Sequence, residues 1–366
     1  MREWPPVAWV LATETRRVVA AVLFALILFA VTFFLLGRAA KFHEVADAAK
    51  DANKLWLPLC LVGELLAYAG YVISYRDVAR SDGGPILPLK TIVQVVVIGF
   101  GATFLGASVG GLAMDYWALR QAGASGSEAR RRVLALNTLE WGVLALAACL
   151  AGAVVLAGAG RGAPLSMTLS WLVIVPLCVA AAAWTTQPHR VDRLTRTPER
   201  RGDGFWPRVR HGLRAAFADA IGGTALVRHL VSHPWRYHQA VSGFVIYWFG
   251  DILTLYAGLR AFDAHVDIPS LVLAYSTGYV ATAIPLPGGG AGGIDASVAL
   301  SLTAVGVPFA PAVLGVLVYR GVSFWLPVIP AVALLPSARN LRSEIDHSTR
   351  AGRDADSERP LPSEAT

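Results

Sequence analysis

The sequence predicts an all-α polytopic membrane protein, with about six full spans and two broken-helix, re-entrant hairpins arranged as an inverted repeat. Three observations predict it. Apolar residues make up 55% of the 366 residues and charged residues only 16%, where a soluble domain carries about 25%. Hydropathy divides the chain into seven or eight apolar segments, two of them too long for one crossing and each broken by a glycine cluster. Lysine and arginine also concentrate in alternate connecting segments, as they do on the cytoplasmic side of membrane proteins.

Crossing the hydrocarbon takes about 20 apolar residues. Segment 18–36 offers 19 without a charge, after Arg16 and Arg17. A signal peptide would have an apolar region of roughly 7–15 residues and a small-residue cleavage site. Gly37-Arg38-Ala39-Ala40 is a poor site, so 18–36 is taken as an uncleaved first span. The further full spans are 55–75, 133–157, 169–186, 237–259 and 309–335. Segment 91–122 is interrupted at Gly106-Ala-Ser-Val-Gly110-Gly111, and segment 271–305 at Pro285-Leu-Pro-Gly288-Gly289-Gly290-Ala-Gly292-Gly293. Each reads as two half-helices forming a hairpin. The polar tail 340–366 reads as disordered and cytoplasmic.

Placing the N-terminus inside, and returning both hairpins to their own side, puts 24 Lys and Arg in the inside segments 1–17, 76–90, 120–132, 187–235 and 336–366, against six outside, in 38–54 and at Arg161 and Arg260. Both termini are then cytoplasmic, in the bacterial inner membrane. Span, hairpin and span now occur twice with opposite orientation, as repeat half one (55–157) and repeat half two (237–335) of a single transmembrane domain, 1–339. Gly110-Gly111 with Asp115 and Gly123 resembles Gly292-Gly293 with Asp295 and Gly306. Inverted repeats of broken helices build many transporters, with the binding site near the midplane.

Segment 187–235 is basic. Eight arginines fall between Arg190 and Arg214, and Trp206, Val209, Leu213, Phe217 and Ile221 recur at helical spacing. An amphipathic helix on the cytoplasmic leaflet fits this pattern, with a solvated linker as the alternative.

Gly288 to Gly293 satisfies G-x-G-x-x-G, but no βαβ unit surrounds it, so it is not a dinucleotide site. The glycines Gly110, Gly111, Gly288, Gly289, Gly290, Gly292 and Gly293 serve turns, close helix approach, or half-helix N-termini that hold an anionic head group. Glu64, Asp115, Glu140, Asp251, Asp295 and Arg320 lie in or beside apolar segments, where each costs about 2.5–3.5 kcal/mol at mid-helix on insertion scales. Arg320, 11 residues into its span, needs a carboxylate, backbone carbonyls or a ligand phosphate. Asp295 is its first expected partner, then Asp251 and Glu140. An ion pair that only fixes packing is the competing reading. No nucleotide, nucleophile or metal motif occurs, and neither the scattered histidines nor Cys60, Cys149 and Cys178 have metal spacing. The sequence therefore points to no cofactor, no metal and no nucleic-acid partner.

The stretch from Ile284 through Pro285-Leu-Pro-Gly to Asp295, then Gly306-Val-Pro and Val318-Tyr319-Arg320-Gly-Val-Ser-Phe-Trp-Leu-Pro327, resembles the C-terminal signature of the lysylphosphatidylglycerol synthase transmembrane region. This flippase-like family includes the membrane half of the multiple peptide resistance factor. Family members usually carry Glu where Asp295 stands, and the family's first-repeat proline and arginine are not evident near 101–150. The soluble aminoacyl-transferase domain is not found in these 366 residues, so the resemblance implies the translocase-like part alone. The expected function is translocation of an anionic phospholipid or lipid-linked precursor. The site would comprise Arg320, Asp295, Asp251, Glu140, Asp115 and Tyr319. A membrane-embedded transferase, or its accessory subunit, is the alternative, and a homodimer or a lipid-synthesis enzyme as partner is left open.

Overall fold

The computed structural model describes residues 23, 27, 31, 50, 52–106, 109–160, 162–195, 205–283 and 292–334. The expected first span 18–36, apart from isolated positions, the tail 340–366 and Gly288, Gly289 and Gly290 lie outside the described residues. No strand occurs among those described. The helices are α1 (Leu57–Arg80), α2 (Leu89–Gly106), α3 (Val109–Gln121), α4 (Gly126–Val154), α5 (Leu165–Thr185), α6 (Pro188–Thr195), α7 (Phe205–Ser232), α8 (Pro234–Ala261), α9 (Ile268–Tyr279), α10 (Gly293–Ala304), α11 (Phe309–Arg320) and α12 (Val328–Leu334). A π-turn at Gly321–Trp325 links α11 to α12. Five helical stretches among the described residues are long and apolar enough to cross a membrane: Lys54–Gly83, Gly126–Ala159, Leu165–Thr185, Pro234–Ala261 and Phe309–Ala331. The chain is a multi-pass membrane protein.

Local chemistry sets the helix ends. Ser125 caps α4: its hydroxyl accepts the Glu128 N–H at 3.2 Å, while the Glu128 carboxylate accepts the Ser125 N–H at 3.3 Å. These reciprocal bonds satisfy two of the N–H groups a helix start leaves free. The cap explains why α4 begins at Gly126 and not at 133, where the apolar run starts. Its arginines are accommodated individually, Arg130 by Asp219 at 2.5 Å and Arg132 by the Ala79 and Ser81 carbonyls at 3.1 and 2.7 Å. Asp267 caps α9 through the Ser270 N–H at 3.0 Å. Gly292, at φ 88°, precedes α10, and its N–H bonds to the Asp295 carboxylate at 2.8 Å. Only glycine reaches that backbone angle without steric cost.

The most extensive packing is between α1 and α8. A Cβ on Gly70 would lie 2.4 Å from the Gly243 carbonyl oxygen, and one on Gly63 2.6 Å from that of Gly250. Two hydroxyls clasp the same seam: Ser74 donates to the Ala240 carbonyl at 2.8 Å and Thr254 to the Cys60 carbonyl at 3.1 Å. Lipid gives little hydrophobic drive between helices, so such small-residue seams and interhelical hydrogen bonds hold them together. Around this pair, α2 packs on α3, α9 on α10, α4 on α9, and α12 on α2. α5 lies against α4 with Val173, Ile174, Leu177 and Val179 exposed, an outer face suited to lipid.

One expectation changes. Gly110 and Gly111 lie inside the first turn of α3 and not in the break. Gly111 faces Gly99 of α2 there, and a Cβ on either would make only ordinary van der Waals contact, at 3.6 Å. The basic amphipathic segment forms two helices, α6 and α7, and α7 packs on α4. Of its apolar stripe, Ile221 is buried while Leu213 and Phe217 remain exposed.

Candidate functional site

A cavity of about 420 Å³ lies where the helix pairs α2–α3 and α9–α10 meet the central pair α1 and α8. α2 and α3 contribute Gly99, Gly111 and Asp115, and α9 and α10 contribute Tyr279 and Ile294. α4 presents Asn137, Glu140 and Trp141 at helical spacing, while Tyr319, Arg320, Ser323 and Phe324 face it from α11 and the π-turn. π-turns inside helices frequently mark functional sites. Here the turn starts immediately after Arg320 and brings Ser323 and Phe324 to the same wall.

Arg320 and Asp295 meet, as the mid-span arginine required, with Nε 2.5 Å from Oδ1 and both side chains buried. The contact is an ion pair without hydrogen-bond alignment, and the buried Nη2 of Arg320 has no hydrogen-bond partner among the described residues. The guanidinium also sits 4.2 Å from the centre of the Phe324 ring. Asp251 does not pair with Arg320. Its carboxylate instead accepts the Tyr319 hydroxyl at 2.8 Å and the Tyr275 hydroxyl. Asp115 accepts the Tyr71 hydroxyl at 3.0 Å, and Tyr75 donates to its backbone carbonyl at 3.2 Å. Glu140 faces the cavity with its side chain, while its backbone carbonyl accepts the indole N–H of Trp248 at 2.7 Å.

Of the predicted site residues, Arg320, Asp251, Glu140, Asp115, Tyr319 and Gly111 line this one cavity, and Asp295 joins it through Arg320. Gly110 is buried in α3, and Gly292 and Gly293 start α10. The sequence reading found Tyr319 but missed the other tyrosines. Tyr71, Tyr75 and Tyr275 supply hydroxyls to Asp115 and Asp251, and Tyr68, Tyr247 and Tyr279 line the wall. Pairs such as Tyr71 and Tyr75, or Tyr275 and Tyr279, four residues apart within apolar runs, were the available signal. Among the described residues, no three His, Cys, Asp or Glu side chains are placed to hold a metal ion.

The family model for the lysylphosphatidylglycerol synthase transmembrane region matches residues 18–331. The chain belongs to that family. As a member of the lysylphosphatidylglycerol synthase transmembrane family, it is a membrane protein of lipid or lipid-head-group handling. Comparison with individually curated proteins finds no match. The family match takes in α1 to α11 and the whole cavity, so the site lies within the part that defines the family.

Proposed function

We propose that this protein is a translocase of the bacterial inner membrane for an anionic phospholipid or lipid-linked precursor. One observation carries the reading: a buried guanidinium, with Nε and Nη2 free of hydrogen bonds among the described residues, belongs to the wall of a cavity that also holds four acidic side chains, inside an otherwise apolar helical bundle. Such a charge is costly unless it is paired or functional. Asp295 holds Arg320 when the site is empty, and a head-group phosphate displaces or bridges that contact as the head group passes. The tail stays in lipid.

Alternating access needs two related halves, and internal correspondences support an inverted repeat. The α1–α8 seam recurs on itself with an offset of 180 residues: Gly63 with Gly250 becomes Gly243 with Gly70, and Ser74 to Ala240 becomes Thr254 to Cys60. α3 and α10 end alike at Gly123 (φ 96°) and Gly306 (φ 94°), where Ala124 N–H reaches the Leu119 carbonyl and Val307 N–H that of Leu302, both at 3.1 Å. At that offset of 183 residues, Asn137, Glu140 and Trp141 correspond to Arg320, Ser323 and Phe324, all of which line the cavity. Both hairpins are read as re-entrant, the first from the cytoplasm and the second from outside. A reporter fused at residue 200 should therefore report the cytoplasm and one at residue 165 the outside. A fusion placing residue 200 outside would contradict the opposed hairpins.

Leaflet-resolved lipid assays in proteoliposomes test the activity. The expected result is a changed leaflet with unchanged lipid mass. A changed mass indicates instead a transferase acting on the head group.

A further inference from the structure

We infer that the cavity has a second subsite, at Glu64 and Tyr68 of α1, for one positive charge that accompanies the phosphate. That charge is either an ammonium on the head group or a small monovalent cation beside it. The inference deepens the translocase reading, but it stands on different residues from the phosphate end.

Among the described residues the cavity wall carries four acidic side chains, Glu64, Asp115, Glu140 and Asp251, and one basic side chain, Arg320, which is already engaged by Asp295. A phosphate arriving alone would bring a negative charge among these buried acids, whose ionised form it makes still less favourable. Buried charge of one sign, poorly shielded from its own kind, is unfavourable. A positive group entering with the phosphate removes the conflict.

The hydrogen bonds indicate where it sits. Asp115 and Asp251 already receive tyrosine hydroxyls. Glu64 is 6% exposed, faces the cavity, and its Oε2 has no hydrogen-bond partner among the described residues. Tyr68, one helical turn on, also faces the cavity, and its buried hydroxyl has no partner there either. A buried carboxylate oxygen without a donor is expensive, and here the vacant donor position opens onto ligand space. The rings of Tyr68 and Phe100, with centres 4.9 Å apart, add aromatic surface that attracts a cation. No three acidic or histidine side chains among the described residues are grouped for metal binding, which favours a singly charged group over a divalent ion. α1 also packs against the π-turn that holds Ser323 and Phe324, and residues of both line the one cavity.

Binding measured apart from transport tests this. Purified protein in detergent is melted with dioctanoyl phosphatidylethanolamine, which has phosphate and ammonium, or dioctanoyl phosphatidylglycerol, which has phosphate alone. Each is tested in dilute buffer with and without added sodium. If the head group brings the charge, the ethanolamine lipid stabilises at about tenfold lower concentration. Glu64→Gln then brings the ratio close to one and leaves the glycerol lipid's response unchanged. If a free cation brings it, sodium raises the glycerol lipid's response saturably, and Glu64→Gln removes the sodium effect. Tyr68→Phe, which keeps the ring, should weaken the same preference should Glu64→Gln not fold. Equal, sodium-independent responses in the wild type, or variants that weaken both lipids alike or leave the preference intact, would overturn the subsite. Failure of the translocase reading looks different: the lipid preference persists while no lipid changes leaflet.

Discussion

Gly70→Leu is expected to strip the protein from the membrane fraction, whereas Gly142→Leu accumulates to wild-type levels. A Cβ on Gly70 would lie 2.4 Å from both the Gly243 carbonyl oxygen and the Tyr247 nitrogen. Those are backbone atoms, so no side-chain rotation relieves the collision. The helices must separate, and the neighbouring hydroxyl clasps at Ser74 and Thr254 break with them. Overpacking a core ordinarily costs about 1–3 kcal/mol, and forcing apart the main interface should reach the upper end or beyond. Total stabilities are only about 5–15 kcal/mol. Gly142 is exposed and meets nothing within 4 Å, so a leucine there adds only a lipid-facing side chain. Quantitative blotting of membrane fractions checks the pair, and equal abundance of the two variants would refute the close seam.

The second large effect is at Arg320. Arg320→Ala should reduce lipid translocation by about 100-fold, the scale on which truncating a buried, hydrogen-bonded charge partner costs 2–5 kcal/mol. Arg320→Lys should rescue poorly, because an ammonium lacks the two-pronged donor edge that matches phosphate. The alanine variant also leaves Asp295 buried opposite nothing, so membrane abundance must be measured beside transport. Loss of transport at preserved abundance is the expected outcome. Wild-type transport by the lysine variant would show that only charge is needed at this position.

Much of the fold was legible because lipid imposes a coarse code. A stretch that crosses hydrocarbon must be long and apolar, and so the stretches at Lys54–Gly83, Gly126–Ala159, Leu165–Thr185, Pro234–Ala261 and Phe309–Ala331 were anticipated to within several residues. The Arg320–Asp295 contact was legible for the same reason, since a mid-span arginine demands a partner. The start of α4 was not. Hydropathy stops at Arg130, Arg131 and Arg132, and only the folded chain provides Asp219 and the Ala79 and Ser81 carbonyls that let the helix continue. The hydroxyls of Tyr71, Tyr75 and Tyr275 were missed because tyrosine is unremarkable in an apolar run until a carboxylate is found opposite it. The register between the halves was also hidden. Aligning Gly110-Gly111 with Gly292-Gly293 gives an offset of 182 residues, while the helix ends at Gly123 and Gly306 give 183. On the latter offset Asp115 corresponds to Val298 and Asp295 to Leu112. On the proposed repeat, the two halves share a scaffold and carry their acids at different positions.

The most direct test of the phosphate-carrying cavity is leaflet-resolved transport by the double variant Arg320→Met with Asp295→Leu. Replacing both members of a buried ion pair by apolar groups avoids the roughly 3–5 kcal/mol that an orphaned charge costs, so this protein should reach the membrane at near wild-type abundance. The account predicts that it is folded and transports no lipid. Full transport by the double variant would reduce the ion pair to a packing device and contradict the account.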